Sequence, residues 1–430
     1  MRSVSETPAA GNAATGVDVL QALAAQPGGP ALLALARDRQ DLALVGGAVR
    51  DLLLGRSPRE LDVVVAGDAA ALAHALAELL GASTTEHERF GTAAVEWEDG
   101  RIDVAERRAE SYAAPGALPD VRPGGTEEDL RRRDFTVNAI AVALGGTRRG
   151  RLDSPEHALE DLRAGRLRVL HEQSFSDDPT RLLRLARYRA RLGFEVEAHT
   201  AALAARALAA GALATVSRAR IGAELRLALR EDDAVASLGA LSELGVLHAL
   251  EPRLHFDAEL ACRALALLPE DGRPDLLLMA SLLLPLMAIP GLDPEPVMFE
   301  LLDGLEFPAA ERERIMRSAL VAPSLVNEMA DAAKPSELHE ALFAHTLEAI
   351  AMGGALSEAG PSSVSGEAAQ WLQRLRHVRL AITGDDLLAA GISAGPEVGR
   401  RLDAALARKL DGELADGREA ELSAALEASP

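Results

Sequence analysis

The sequence predicts an α+β fold: a mixed α/β head of about 150 residues, then an all-helical remainder. Three observations carry this. The apolar runs 42–47 and 61–65 have the length of buried strands and show no helical period. Residues 92–97 and 101–105 flank Glu98-Asp99-Gly100, the pattern of a β-hairpin. Beyond Thr126, Ala, Leu and Arg dominate with helical periodicity and few β-branched runs.

In chain order, the first 16 residues carry no periodic signal and read as disordered. Residues 16–40 are helical in pattern, and 42–47 form a strand that ends in Gly46-Gly47, a tight turn into a helix over 48–54. A strand over 61–65 and a helix over 69–80 follow, then the hairpin. The Pro/Gly-rich stretch 112–125 is too irregular for either regular structure. Breaks near Pro252, Pro290–Pro296 and Pro361 divide the helical part. The expected domains are an extension and first helix start over 1–30, a head over 31–150, and helical segments over 151–235, 236–370 and 371–430.

Charge and composition exclude several classes. The 430 residues carry 45 basic and 66 acidic side chains, a net charge of -21, which argues against a general nucleic-acid binder. The charge is uneven, however: -7 over 1–100, +5 over 101–230 and -19 over 231–430. Contact with RNA is therefore expected on the basic middle stretch. One cysteine, Cys262, excludes a disulfide scaffold and a cysteine zinc site. The N-terminus has no apolar signal core and no apolar run is long enough to span a membrane, so a cytoplasmic location is expected.

The chemistry concentrates in three motifs. Gly46-Gly47-Ala48-Val49-Arg50-Asp51, Leu54-Gly55-Arg56 and Glu60-Leu61-Asp62 follow one another. Two glycines let backbone approach a phosphate, and a helix start offers free N–H groups to an anion. Glu60 and Asp62 fall on one face of a strand, where two carboxylates can hold metal ions for phosphoryl or nucleotidyl transfer. The second motif is Arg131-Arg132-Arg133-Asp134-Phe135-Thr136-Val137-Asn138-Ala139. Its arginines suit triphosphate oxygens, and Asp134 and Asn138 suit ribose hydroxyls. The third is Asp177-Asp178-Pro179-Thr180-Arg181, continued by Arg184 and Arg187. On a helix, Asp178 and Arg181 share a face and can read the edge of a base.

These motifs resemble the class II tRNA nucleotidyltransferase and bacterial poly(A) polymerase family, within the polymerase-β-like nucleotidyltransferases. The resemblance implies a nucleotidyltransferase head with a mixed sheet, then helical neck, body and tail. It implies Mg2+ held by Glu60 and Asp62, a triphosphate held by Gly46, Gly47 and Arg50 with Arg132 and Arg133, a ribose held by Asp134 and Asn138, and a base selected by Asp178 and Arg181, with Arg184 and Arg187 facing phosphates. The expected partners are tRNA, CTP and ATP, with no membrane; the expected reaction is CCA addition to tRNA 3′ ends. Poly(A) or A-only addition uses the same residues, and a catalytically silent RNA-binding relative is a further alternative. Glu60 stands where the family usually has an aspartate. Asp103 is a candidate third carboxylate, with Glu96 as its rival. The stretch 110–121 resembles the family's flexible loop, and its full length favours CCA over CC-only addition. Asp153, Asp161 and Arg168 match a linking motif; Ser217, Arg220 and Glu224 match the next, with Ala219 in place of a usual glutamate. Ile382-Thr383-Gly384-Asp385-Asp386-Leu387 and Gly395-Pro396 resemble the tail.

Overall fold

The computed structural model describes residues 15–87, 91–357 and 363–428. The expectations for the first 14 residues and for a break at Pro361 lie outside the described residues. The chain divides into two compact units, 1–216 and 217–430.

In the first unit, helices α1 (Gly16–Ala24) and α2 (Gly29–Ala36) lead into strand β1 (Leu42–Val45) and helix α3 (Gly46–Leu53). Thr15 caps α1 through a reciprocal pair with Asp18, which satisfies donors that the helix start leaves open. Then come β2 (Leu61–Val65), α4 (Ala69–Leu80), β3 (Ser83–His87), β4 (Thr92–Trp97) and β5 (Gly100–Glu106). Helix α4 is capped by Asp68 and stops at Gly81 in the left-handed region. Next are β6 (Arg108–Ser111), β7 (Asp120–Pro123), α5 (Thr126–Arg131), β8 (Ala141–Ala143) and β9 (Leu152–Asp153). The unit closes with α6 (Ala158–Ala164), β10 (Arg166–Leu167), α7 (Ser174–Asp177), α8 (Arg181–Leu192), β11 (Glu195–Val196) and α9 (Ala198–Ala209).

Seven strands form one mixed sheet in the order β3-β4-β5-β2-β1-β8-β9. Only β2 and β5 run parallel, which sets Asp62 beside Asp103 in register. Strand β1 is buried throughout, as its unbroken apolar run requires. Ala43, Val45, Val64, Leu130, Ala139 and Ala141 form a core beneath the site.

Four features depart from the sequence reading. The 16–40 pattern is two helices, parted at Gly28, whose φ of 74° is left-handed. The stretch 112–125 is not wholly irregular, because Asp120–Pro123 pairs with Arg108–Ser111 as a separate two-stranded ribbon. Strand β8 lies beyond Thr126 and pairs with β1, so the sheet reaches past the point where helical character begins. The segment expected to be all-helical also holds a short parallel pair, β10 with β11.

The second unit is helical throughout its described residues, from Arg218–Leu229 to Arg418–Glu427. At its centre the helix Leu347–Leu356 is buried almost end to end. Its Glu348, fully buried, accepts from Arg314 Nε and Nη2 and from the Arg273 backbone N–H, so the buried charge is paired and hydrogen-bonded. Near the C-terminus Ile382, Leu387, Ala405, Ala424 and Ala425 make a smaller core. There buried Glu421 accepts from Lys409 and from the backbone of Ala381 and Ile382. No helix among the described residues is long and apolar enough to cross a membrane.

Candidate active site

The site starts at the β1–α3 turn. Gly46 has φ 70°, and a Cβ there would lie 2.9 Å from Arg133 Nη1 and 3.4 Å from Asp62 Oδ2. Both its backbone conformation and this close approach call for glycine. Gly47 is less constrained, its virtual Cβ meeting only Arg50 at 3.5 Å.

Glu60, Asp62 and Asp103 each offer a carboxylate oxygen, all within 4.8 Å of one another. Strand pairing produces this cluster: Glu60 and Asp62 are two apart at the start of β2, and Asp103 is the register partner of Asp62 on β5. Glu96, the rival third carboxylate, lies outside the cluster and pairs with Arg101. Burial and the neighbouring Glu60 push the Asp62 carboxyl up to about 7, against the pull of Arg133. An all-oxygen donor set that holds like charges together at such cost fits a hard divalent cation.

A second group of polar residues is packed and paired. Asp134, 7% exposed, accepts from Asn138 Nδ2 at 3.0 Å, from Arg184 Nε and Nη2 at 2.8 and 2.6 Å, and from the Phe135 N–H. Burial opposes its charge, but Arg184 and Asn138 outweigh that and hold the carboxyl down at about 2. Arg50, 1% exposed, donates to Asn138 Oδ1 and to Asp51. The residue assigned from sequence to the triphosphate is thus committed to the sugar-side network here. Three guanidinium groups, of Arg50, Arg184 and Arg187, lie 5.4–5.5 Å from the centre of the Tyr188 ring. The Tyr188 hydroxyl accepts from Arg184.

Arg132 and Arg133 are held by Asp129, 1% exposed, which accepts from both. Arg132 also reaches Glu110 on β6, which accepts from the Tyr112 hydroxyl. Burial, with Glu110 beside it, lifts that hydroxyl to about 12, so Tyr112 stays a donor at neutral pH. Arg181 donates to Ser174 Oγ at 2.6 Å and to the Arg132 carbonyl at 2.7 Å. Asp178 does not share a helix with Arg181: it is extended, ahead of α8, and accepts from the Thr180 N–H and Oγ1. Pro179 explains this, since the residue before a proline is driven out of the helical region. A cavity of about 380 Å³ joins these parts, lined by Glu110, Tyr112, Arg132, His171, Asp177 and Arg181 among others. Asp161, fully buried, ties Thr136 to Arg168.

Sequence reasoning missed Asp129, Tyr188 and Arg101. Asp129 stands three and four residues before Arg132 and Arg133, and Tyr188 four after Arg184, so helical spacing carried both signals. Arg101 alternates with Asp103 on a strand, which was legible too.

A glycine turn, a strand-borne carboxylate cluster and an arginine network on a mixed sheet define a nucleotidyltransferase-type head. Residues 42–168 match the poly A polymerase head domain. The chain is 46% identical over 218 residues to the A-adding tRNA nucleotidyltransferase of Halalkalibacterium halodurans, covering 50% of this chain and 51% of that protein. It is 33% identical over 379 residues to the A-adding enzyme of Geobacter sulfurreducens, covering 85% and 43%. With the CC-adding tRNA nucleotidyltransferase of Deinococcus radiodurans it shares 44% over 193 residues, covering 44% and 50%. The matched stretches thus span about half the length of these relatives. Among solved structures, a CCA-adding enzyme in apo form is 27% identical with a TM-score of 0.78, covering 95% of this chain and 98% of that one. The Thermotoga maritima CCA-adding enzyme complexed with tRNA is 26% identical with a TM-score of 0.74 and the same coverage. Residues 42–168 thus carry a poly A polymerase head domain, and the chain as a whole is similar to the class II tRNA nucleotidyltransferases.

Proposed function

We propose that this chain is a template-independent nucleotidyltransferase that completes CCA at tRNA 3′ ends from CTP and ATP, in the cytoplasm. The observation that carries the reading is the Glu60–Asp62–Asp103 cluster beside the Gly46 turn and Arg133. In the reaction the RNA 3′ hydroxyl oxygen bonds to the nucleotide's α-phosphorus, and the bond to pyrophosphate breaks. The carboxylates would hold Mg2+, which when bound activates the hydroxyl and stabilises the leaving group.

The chain's own residues place the substrate. The N–H groups after Gly46 and the Arg132 and Arg133 guanidiniums face the triphosphate. Asp134 already has acceptors engaged by Asn138, Arg184 and the Phe135 N–H, so its part is to hold Asn138 and Arg184 for the ribose. Asp178 and Arg181, joined by a backbone hydrogen bond of 3.0 Å, select the base. Glu60 keeps ligand chemistry and reaches one methylene further than the usual aspartate. The neck, body and tail boundaries near 235 and 370 go with this reading, with RNA contact on the basic 101–230 stretch.

Transcripts ending in the discriminator base, in C or in CC, offered with CTP and ATP, test the proposal by product length. Extension of all three to CCA is expected. Extension of the CC transcript alone favours the A-only reading, which the 46% identity to an A-adding enzyme supports. An A tail of many residues marks a poly(A) polymerase. No pyrophosphate release with any pair, reversed by Glu60→Asp, marks a silenced relative.

A further inference from the structure

Beside the carboxylate cluster stands an arginine for which the proposed reaction has no use. Arg101 on β5 is the register partner of Glu96 on β4 and shares a strand face with Asp103, two residues on. Its Nε lies 2.9 and 3.1 Å from the two Asp103 carboxylate oxygens, and its Nη2 is 2.8 Å from Oδ1. Its Nη1 donates to Glu96 Oε1 at 2.6 Å. Glu60 adds to the negative field in which it sits. The guanidinium therefore engages both oxygens of the third carboxylate.

We propose that Arg101 is a positioning residue of unusual sign: a resident cation that competes with the divalent metal for Asp103 and lowers the site's metal affinity. The inference rests on reading Glu60, Asp62 and Asp103 as metal ligands. Two effects of Arg101 oppose each other. It could aim Asp103 and so favour the metal, or it could place positive charge on a ligand and oppose it. Strand pairing on both sides, with Asp62 on β2 and Ala94 on β4, already sets the sheet face that Asp103 presents to the cluster, so the half-exposed Arg101 is not needed to bring it there. The charge effect should win. When the metal arrives, Arg101 can retreat to Glu96, to which Nη1 is already bonded. In the metal-free chain, the same contact partly neutralises three clustered carboxylates.

Mn2+ binding to the whole chain, read from loss of the free-ion EPR signal without nucleotide or RNA, tests this directly. Arg101→Gln is expected to bind Mn2+ about two- to fivefold tighter than wild type, the range for a half-exposed ion pair. Arg101→Lys keeps the charge and should restore most of the wild-type affinity. In an Asp103→Asn background the gain from Arg101→Gln should shrink, as coupling through that carboxylate demands. Equal or weaker binding by Arg101→Gln overturns the inference while leaving the ligand reading standing. Absence of Mn2+ binding by wild type removes the ligand reading, and this inference with it.

Discussion

Asp62 and Asp134 both lie in the head, yet their carboxyls are driven in opposite directions. Burial and the neighbouring Glu60 lift Asp62 to about 7; at Asp134 burial is outweighed by Arg184 and Asn138, and the group falls to about 2. The second network is complete in itself, with arginine, amide and backbone donors meeting each acceptor. The first is short of positive charge, since Arg133 is shared with Asp129 and Arg101 with Glu96, both outside the cluster. A like-charge cluster costs the fold free energy, and the sequence keeps it. The difference separates a scaffold from a place prepared for an external cation.

The comparison breaks most visibly at Asp62. Asp62→Asn should lower nucleotide incorporation on the order of a thousandfold while the chain stays folded, by circular dichroism. It should also steady the metal-free protein. The folded-state carboxyl titrates above its ordinary value of 3.8, so the metal-free fold loses stability as pH rises from about 4 towards 7. At pH 8 in EDTA the variant should gain on the order of 1 kcal/mol, measured by urea unfolding. An equally unstable variant would mean that the cluster carries no charge strain.

Asp134 has the opposite sign. Its depressed carboxyl adds stability that is present above about pH 4 and is lost as pH falls towards 2. Asp134→Asn should therefore destabilise the head at pH 7 by about 3 kcal/mol, because it removes the charged oxygen that accepts from both Nε and Nη2 of Arg184. The deficit should close in acid, where wild type loses the same contribution. A deficit that persists at pH 2 would locate the effect in packing instead.

Much of this was legible because local rules and the global fold agree. The 42–47 run is a strand over Leu42–Val45, with Gly46-Gly47 already opening α3, and 61–65 is a strand; the Glu98-Asp99-Gly100 turn joins a hairpin, and Glu60, Asp62 and Asp103 meet. Where reading failed, tertiary context had overridden local signal. Ala141–Ala143 is a strand because β1 needs a partner, although alanine has little strand preference. Asp120–Pro123 pairs despite its proline, which sits at the end of a two-stranded ribbon. Arg50 looked like a phosphate ligand from its place after two glycines; its burial against Asn138, 88 residues on, could not be read locally.

Between these two regions stands Gly46, and Gly46→Ala should have a middling effect. A left-handed alanine costs about 1 kcal/mol, and the methyl must displace Arg133 Nη1 from 2.9 Å. Moving Arg133 weakens the counter-charge on Asp62, so the loss should fall on incorporation more than on unfolding. Gly47→Ala, with only ordinary contact to meet, is the matched control in activity and melting assays.

The smallest change probes the scaffold alone. Tyr188→Phe keeps the ring that faces Arg50, Arg184 and Arg187 and removes only the hydroxyl that accepts from Arg184. Arg184 retains both bonds to Asp134, so stability should fall by only about 0.5–1 kcal/mol. Tyr188→Leu removes the aromatic face and should cost more, since three guanidiniums would then lie against an aliphatic side chain. If the two networks are energetically separate, neither variant alters the Mn2+ affinity of the carboxylate cluster. A shift in that affinity with Tyr188→Leu would instead show that the arginine scaffold sets the charge balance at Asp62.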